Sequence, residues 1–264
     1  MATTATDVVL RQVQDGVCTL TLNRPERLNA WTQPMEERYF DLLEEADRDP
    51  ETRVVVVTGA GRGFCPGFDM DALAALSDGD AEGVTAPTRP QTFPLSVRKP
   101  VIAAINGACA GIGLVQALMC DIRIAAAGAK MTTAFARRGL VAEHGISWML
   151  PRLIGPSAAL DLLLSGRVFL TEEAERLGVV NKVVAADEVL DHTLAYARDL
   201  AQNCSPASMA VMKAQVYRDL GRGLDDSLAD ANRLMGESFG RPDFGEGVQS
   251  FVERRPPQFA PLGD

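Results

Sequence analysis

Several things are scarce or missing in this chain, and each scarcity removes a class of function. Only two histidines occur, His144 and His192. The five cysteines, Cys18, Cys65, Cys109, Cys120 and Cys204, are odd in number and scattered, with no C-x-x-C spacing. That pattern fits reduced thiols in a cytoplasmic protein rather than a disulfide framework or a zinc site, and no metal is expected. Basic residues are outnumbered, with 26 Lys and Arg against 35 Asp and Glu for a net charge of −9. Nucleic acid and anionic membranes, which need a basic surface, are therefore not expected as partners, although a local basic pocket for a phosphorylated ligand stays open. No apolar run approaches the roughly 20 residues of a membrane span. The opening MATTATD lacks the basic and apolar regions of a secretory leader, and internal repeats and low-complexity tracts are absent.

What remains is ordinary globular material. Hydrophobic residues make up 47% and charged residues 23% of 264 positions, enough for one large domain, alone or with an appendage. DVVLRQV and VCTLTL read as β-branched strands joined through Asp15-Gly16, a favoured hairpin turn. In PMEERYFDLLEEADRD, Met35, Leu42, Leu43 and Ala46 form a helical stripe. The unbroken run VVVVTG, Val54 to Gly59, predicts a strand buried on both faces, as in parallel sheets. Residues 77 to 92, small, polar and Pro/Gly-containing, read as a mobile surface loop. KPVIAAINGACAGIGLVQALMCDIRIAA reads as strand, glycine-rich turn, helix and strand, so the core is α/β with right-handed crossovers. Beyond Pro151 the pattern turns mostly helical. Ser205-Pro206 is an N-cap and N1 pair, and SLADANRLMGESF and DFGEGVQSFVERR are further helices. The last 60 or so residues thus read as a helical appendage.

Two glycine-rich turns carry the first chemical signal. GAGRGFCPGFDM, residues 59 to 70, follows the buried strand. Its spacing, Gly59-x-Gly61-x-Gly63 interrupted by Pro66, is not a dinucleotide fingerprint. Phe64-Cys65 stands where a P-loop needs Lys-Ser/Thr. NGACAGIGLVQALMCD, residues 106 to 121, again follows a strand, and a helix starts near Ile112. Free N–H groups at a helix start favour a developing anion. Two such turns at strand ends can form an oxyanion hole from main-chain amides alone, or each can be a plain turn.

NRPERLNA (residues 23 to 30), FCPGFDM (64 to 70), NG at 106 and 107 with Gly111-Ile112-Gly113, and Cys120-Asp121 together resemble the crotonase, or enoyl-CoA hydratase/isomerase, superfamily. Order and spacing match over nearly the whole chain. The resemblance implies a spiral of ββα units over residues 1–200, a C-terminal helical region over 201–264 used in trimer or hexamer contacts, and an acyl-CoA thioester substrate. CoA is then part of the substrate, and no further cofactor is implied. By position, the oxyanion donors are the amides of Phe68 and Ile112, each following a glycine, Gly67 and Gly111. Phe64, Cys65, Asp69 and Met70 fall where the family backbone brackets adenine and pantetheine. Arg27 falls where a basic residue often approaches the CoA phosphates, or is a solvated surface arginine.

Hydratases of this family use two glutamates, and this chain has Val115 and Phe135 at those positions, which argues against ordinary hydration. A third acid-bearing position, used by some isomerases and an aroyl-CoA dehalogenase, holds Glu143 in RRGLVAEHGISW. One carboxylate suffices for a 1,3-proton shift, so the expected activity is double-bond isomerisation of an enoyl-CoA. Glu143 could instead be a loop carboxylate paired with Arg137 or Arg138. His144 could orient Glu143, contact substrate or cap a helix. Hydratase or dicarbonyl-hydrolase chemistry through Glu143 and His144, and silent acyl-CoA binding, are the rival readings. Trp31, Met70, Phe135 and Trp148 suit a bulky apolar acyl group or are simply core.

Overall fold

A computed structural model describes residues 8–77 and 89–263. The chain opens as expected, with β1 (Val9–Gln14) and β2 (Val17–Leu22) forming an antiparallel hairpin. Asp15 and Gly16 both have positive φ, 53° and 78°, the geometry of a two-residue turn that matches strand twist. Helix α1 (Gln33–Arg48) starts at Thr32, whose side chain accepts from the Met35 amide. Met35, Leu42, Leu43 and Ala46 are fully buried beneath it; each large side chain so buried contributes roughly 1.5–3 kcal/mol.

From there the chain repeats one unit. β3 (Val54–Gly59) is followed by β4 (Gly63–Cys65) and α2 (Met70–Ser77), and β5 (Val101–Ile105) by β6 (Ala108–Ala110) and α3 (Ile112–Met119). β7 (Ile122–Ala126) is then followed by β8 (Lys130–Thr132) and α4 (Ile146–Ser165). Each turn adds one strand to a six-stranded sheet and one to a four-stranded sheet. The first sheet runs β1-β2-β3-β5-β7-β10 and the second β4-β6-β8-β9, with β9 at Phe169–Leu170 and β10 at Lys182–Val184. Apart from the opening hairpin and the β8–β9 pair, all pairings are parallel. This is the expected ββα spiral. All six residues of β3 are buried, as an unbroken apolar run demands of a central parallel strand.

The later half is helical: α5 (Thr171–Leu177), α6 (Val189–Asn203), α7 (Pro206–Asp219), α8 (Leu224–Phe239) and α9 (Pro242–Glu253). Ser205 caps α7 through the Ser208 amide. The change to helix falls earlier than Pro151, because α4 begins at Ile146 and carries both Pro151 and Pro156. Non-helical Gly155 (φ 78°, ψ 158°) absorbs the break that Pro156 imposes. Polar contacts tie the tail to the spiral: Lys213 Nζ lies 2.8 Å from the Asp121 carboxylate, and Arg53 donates to the Phe259 carbonyl. Of the stretch expected to be a surface loop, residues 78–88 lie outside the described residues. Its end is not loose, since Arg89 pairs with Asp41 and Glu44 of α1 and Gln91 is buried.

Candidate active site at one end of the small sheet

β4, β6 and β8 are parallel neighbours, so the chain leaves all three at the same end of the small sheet. Ligands in parallel α/β sheets bind outside such carboxyl ends. Gly67 and Phe68 follow β4, Gly111 and Ile112 follow β6, and Phe135 through His144 follow β8. A cavity of about 540 Å3 opens there, lined among others by Arg27, Gly67, Phe68, Asp69, Met70, Gly111, Ile112, Glu143 and His144. Phe64 and Cys65, the other two residues singled out, are fully buried in β4 and do not line it. Burial pushes the Cys65 thiol up to about 12, so no nucleophilic thiolate forms there.

The two donor turns are built by close backbone approach. Gly67 has φ +115° and Gly111 φ +51°, and a Cβ placed on Gly111 would stand 3.7 Å from the Gly67 Cα. Trp31 flanks Phe68 by a parallel bridge: its amide donates to the Gly67 carbonyl at 2.8 Å, and its carbonyl accepts from the Asp69 amide at 2.9 Å. In such a bridge the central residue's own N–H points the other way, so the Phe68 amide is turned from Trp31. Helix α3 starts at Ile112 with Gly111 as N-cap and no side-chain cap. The Ile112 amide is thus one of the orphan donors at a helix start.

Two motif asparagines brace the Gly59–Gly63 turn that leads into β4. Buried Asn29 donates to the Ala60 and Gly63 carbonyls and accepts from the Arg24 amide, and Asn106 donates to Gly59 and Gly61 and accepts from the Gly59 amide.

The two carboxylates that line the cavity are differently placed. Asp69 caps α2 through the Asp71 amide and pairs with Arg24 at 3.0 Å. Burial pushes its pKa up, but the Arg24 hydrogen bond and the Asp71 amide outweigh burial and hold it below the usual value. Glu143 carries no such ties. Its side chain is about one-third exposed, and its ion contact among the described residues is His144, Nε2 to Oε2 at 3.4 Å. Neither neighbouring arginine takes it up: Arg137 donates to the Ser165 carbonyl, and Arg138 lines the cavity. His144 holds a left-handed conformation (φ 58°), followed by Gly145 (φ 84°), which turns the chain into α4. His192 lies on α6 and does not line the cavity.

The former glutamate positions differ too. Val115 is buried in the core on α3, whereas Phe135 lines the cavity. Met70 also lines it, but Trp31 is wholly core and Trp148 stacks under Arg152, whose guanidinium carbon is 4.0 Å from the ring centre. Arg27 stands at the cavity and pairs with Asp71, both exposed. Arg138, Leu140, Leu73, Ala30 and Pro66 line the cavity without having been singled out. For Arg138 the available signal was its place between Phe135 and Glu143.

A family model described as enoyl-CoA hydratase/isomerase matches residues 12–261. A 1,2-epoxyphenylacetyl-CoA isomerase of Escherichia coli is 37% identical over 96% of this chain and 98% of its own length. A relative from Rhodobacter capsulatus named a probable enoyl-CoA hydratase is 39% identical over 94% of this chain and 96% of its own. Among solved structures, an enoyl-CoA hydratase from Mycobacterium marinum is 51% identical with a TM-score of 0.71, covering 82% of this chain and 100% of that one.

Proposed function

The chain belongs to the enoyl-CoA hydratase/isomerase family, and from that premise we propose that it moves a double bond in an acyl-CoA thioester with Glu143 as the proton carrier. The observation that carries this reading is the contrast between the two carboxylates of the cavity. Asp69 is tied to Arg24 and a helix cap, while Glu143 lines the cavity with His144 as its one charged-group contact among the described residues.

In the reaction, Glu143 removes an α-proton from a 3-enoyl thioester. The electron pair moves into the carbonyl, and the enolate oxygen is held by the Phe68 and Ile112 amides. The same carboxyl then returns the proton to the γ-carbon as the double bond shifts to the 2,3 position, so atoms and charge balance. Phe135, Met70 and Leu140 line the cavity with apolar surface that suits a bulky acyl group. The E. coli relative's name, a 1,2-epoxyphenylacetyl-CoA isomerase, supports a bulky acyl group.

The test is Glu143→Gln, which keeps size and hydrogen bonding but removes the base. Isomerisation of a 3-enoyl-CoA should fall ~10²–10⁴-fold, with CoA-ester binding retained. His144→Ala should cost less. The 3.4 Å contact between His144 and Glu143 favours a second reading, hydration or dicarbonyl hydrolysis by a coupled pair. Equal and total loss in both variants, or release of a 3-hydroxyacyl-CoA, would select it. Full activity in Glu143→Gln would sink the assignment.

Assembly into trimers or hexamers belongs to the same reading. Leu224, Phe251 and Val252 in the tail are 73–84% exposed in the single chain, more apolar surface than an isolated helical tail leaves in water. Light scattering should give a mass well above 28.3 kDa; a monomer of full activity would contradict it.

A further inference from the structure

A chain of buried polar side chains connects the two donor segments, and the proton chemistry does not use it. The Trp31 indole Nε1 donates to Glu36 Oε2 at 2.9 Å, and the Gln91 side-chain amide donates to the same oxygen. Gln116 Nε2 in turn donates to Gln91 Oε1 at 2.6 Å and to the Gln91 carbonyl at 3.2 Å. All four residues are buried. At one end, the Trp31 backbone is the strand that brackets Phe68. At the other, Gln116 sits four residues after Ile112 and is the one polar side chain of an otherwise apolar α3.

An apolar helix face would pack here without the desolvation that buried amides carry. Gln116 Oε1 is buried and has no hydrogen-bond partner among the described residues, so the chain is not there to satisfy every polar atom. What it does supply is direction, because each link has one geometry. The segment bearing Gln91 also abuts the opposite wall: the Thr92 methyl would lie 3.0 Å from a Cβ on Gly145.

We propose that Glu36, Gln91 and Gln116 are positioning residues that set the separation of the Phe68 and Ile112 amides, with Glu36 Oε2 as the joint where the two halves meet. The inference rests on the reading of those amides as the donors to the thioester oxygen. Displacing a donor by a fraction of an ångström weakens the polarisation of the carbonyl it holds, and that polarisation is measurable without turnover.

The probe is butyryl-CoA labelled with carbon-13 at the thioester carbonyl, read by isotope-edited infrared spectroscopy on the full-length protein. The wild-type complex should show the carbonyl band shifted down from that of free butyryl-CoA. Folded Gln116→Leu and Glu36→Leu should lose most of that downshift, with Glu36→Leu melting lower because the buried Trp31 and Gln91 donors lose their acceptor. Glu36→Gln, whose carbonyl oxygen can accept from both Trp31 and Gln91, should keep it. A wild-type downshift that persists in both leucine variants would overturn the positioning role and leave the donors standing. An unshifted wild-type band would sink the donor pair itself, and this inference with it. If Glu36→Leu does not fold, Gln116→Leu decides alone. A Gln116→Leu protein that does not fold counts against the proposal, since the link would then be holding the fold rather than the donors.

Discussion

The wall of the cavity that carries the amides and the wall that carries Glu143 are held in different ways. On the first, backbone packs on backbone. A Cβ on Gly113 would lie 2.3 Å from the Cys65 carbonyl oxygen, and a Cβ on Gly67 or on Gly111 would stand 4.0 or 3.7 Å from the other's Cα. On the second, the chain runs through positive-φ positions at Gly139, His144 and Gly145, and a Cβ on Gly139 would meet nothing within 4 Å. Val141 is 77% exposed. The wall that carries the amides is made of main chain and tolerates almost no change in shape. The wall that carries Glu143 presents side chains on a looser, more exposed segment. Of the two positions where the resemblance expects hydratase glutamates, Phe135 lines the cavity after β8, whereas Val115 is buried on α3, in the wall that carries the amides.

The sharpest way to break the comparison is one methyl group on each wall. Gly113→Ala forces α3 away from β4; overpacking typically costs 1–3 kcal/mol, and a clash against a backbone oxygen cannot be relieved by a rotamer change. Acyl-CoA binding should be abolished and the melting temperature should drop sharply. Gly139→Ala should lose only the ~1–2 kcal/mol of a left-handed alanine and should still bind; calorimetry of both variants with an acyl-CoA titration checks this. Comparable binding in the two would erase the distinction.

Next in size is loss of a single amide. Ile112 is the first residue of α3, a position that accepts proline, so Ile112→Pro removes a donor without breaking a helix hydrogen bond. Turnover should fall ~10²–10³-fold, whereas Ile112→Val should stay near wild type. Steady-state kinetics on a folded Ile112→Pro protein with full activity would refute the main-chain assignment.

The smallest effect separates the two carboxylates. Asp69 is held below its usual pKa in the folded state, so its stabilising contribution is present above the unfolded value of about 3.9 and is lost as pH falls through the folded value. Asp69→Asn should therefore be less stable than wild type at pH 6 and approach it below about pH 4. Urea unfolding at both pH values measures this. A constant difference across that range would mean that the Arg24 pair does not carry it.

Much of this architecture was legible before any coordinates. The Asp15-Gly16 hairpin, the buried run of β3, the stripe of α1 and the Ser205 cap depend on local conformation and periodicity, which neighbouring residues determine. The glycine-rich turns were legible for the same reason, since glycine conformation and an uncapped helix start are properties of a few consecutive residues. Side-chain roles were not, because they depend on which distant group takes each side chain. Glu143 read alone could equally pair with Arg137 or Arg138; only the packing of β8 against Gly166 and Ser165 shows where Arg137 goes. Trp31 and Trp148 looked alike in sequence, yet one is core beneath the donors and the other is solvent-facing under Arg152. Gln91 stood in a stretch that read as loop, and Gln116 inside an apolar helix. Gln116 meets Gln91 across 25 positions, and Gln91 meets Glu36 across 55. Sequence determines what the backbone does locally. Tertiary structure decides which side chains are left free to act, because hydrogen bonds and ion pairs between distant residues form only once the spiral has closed.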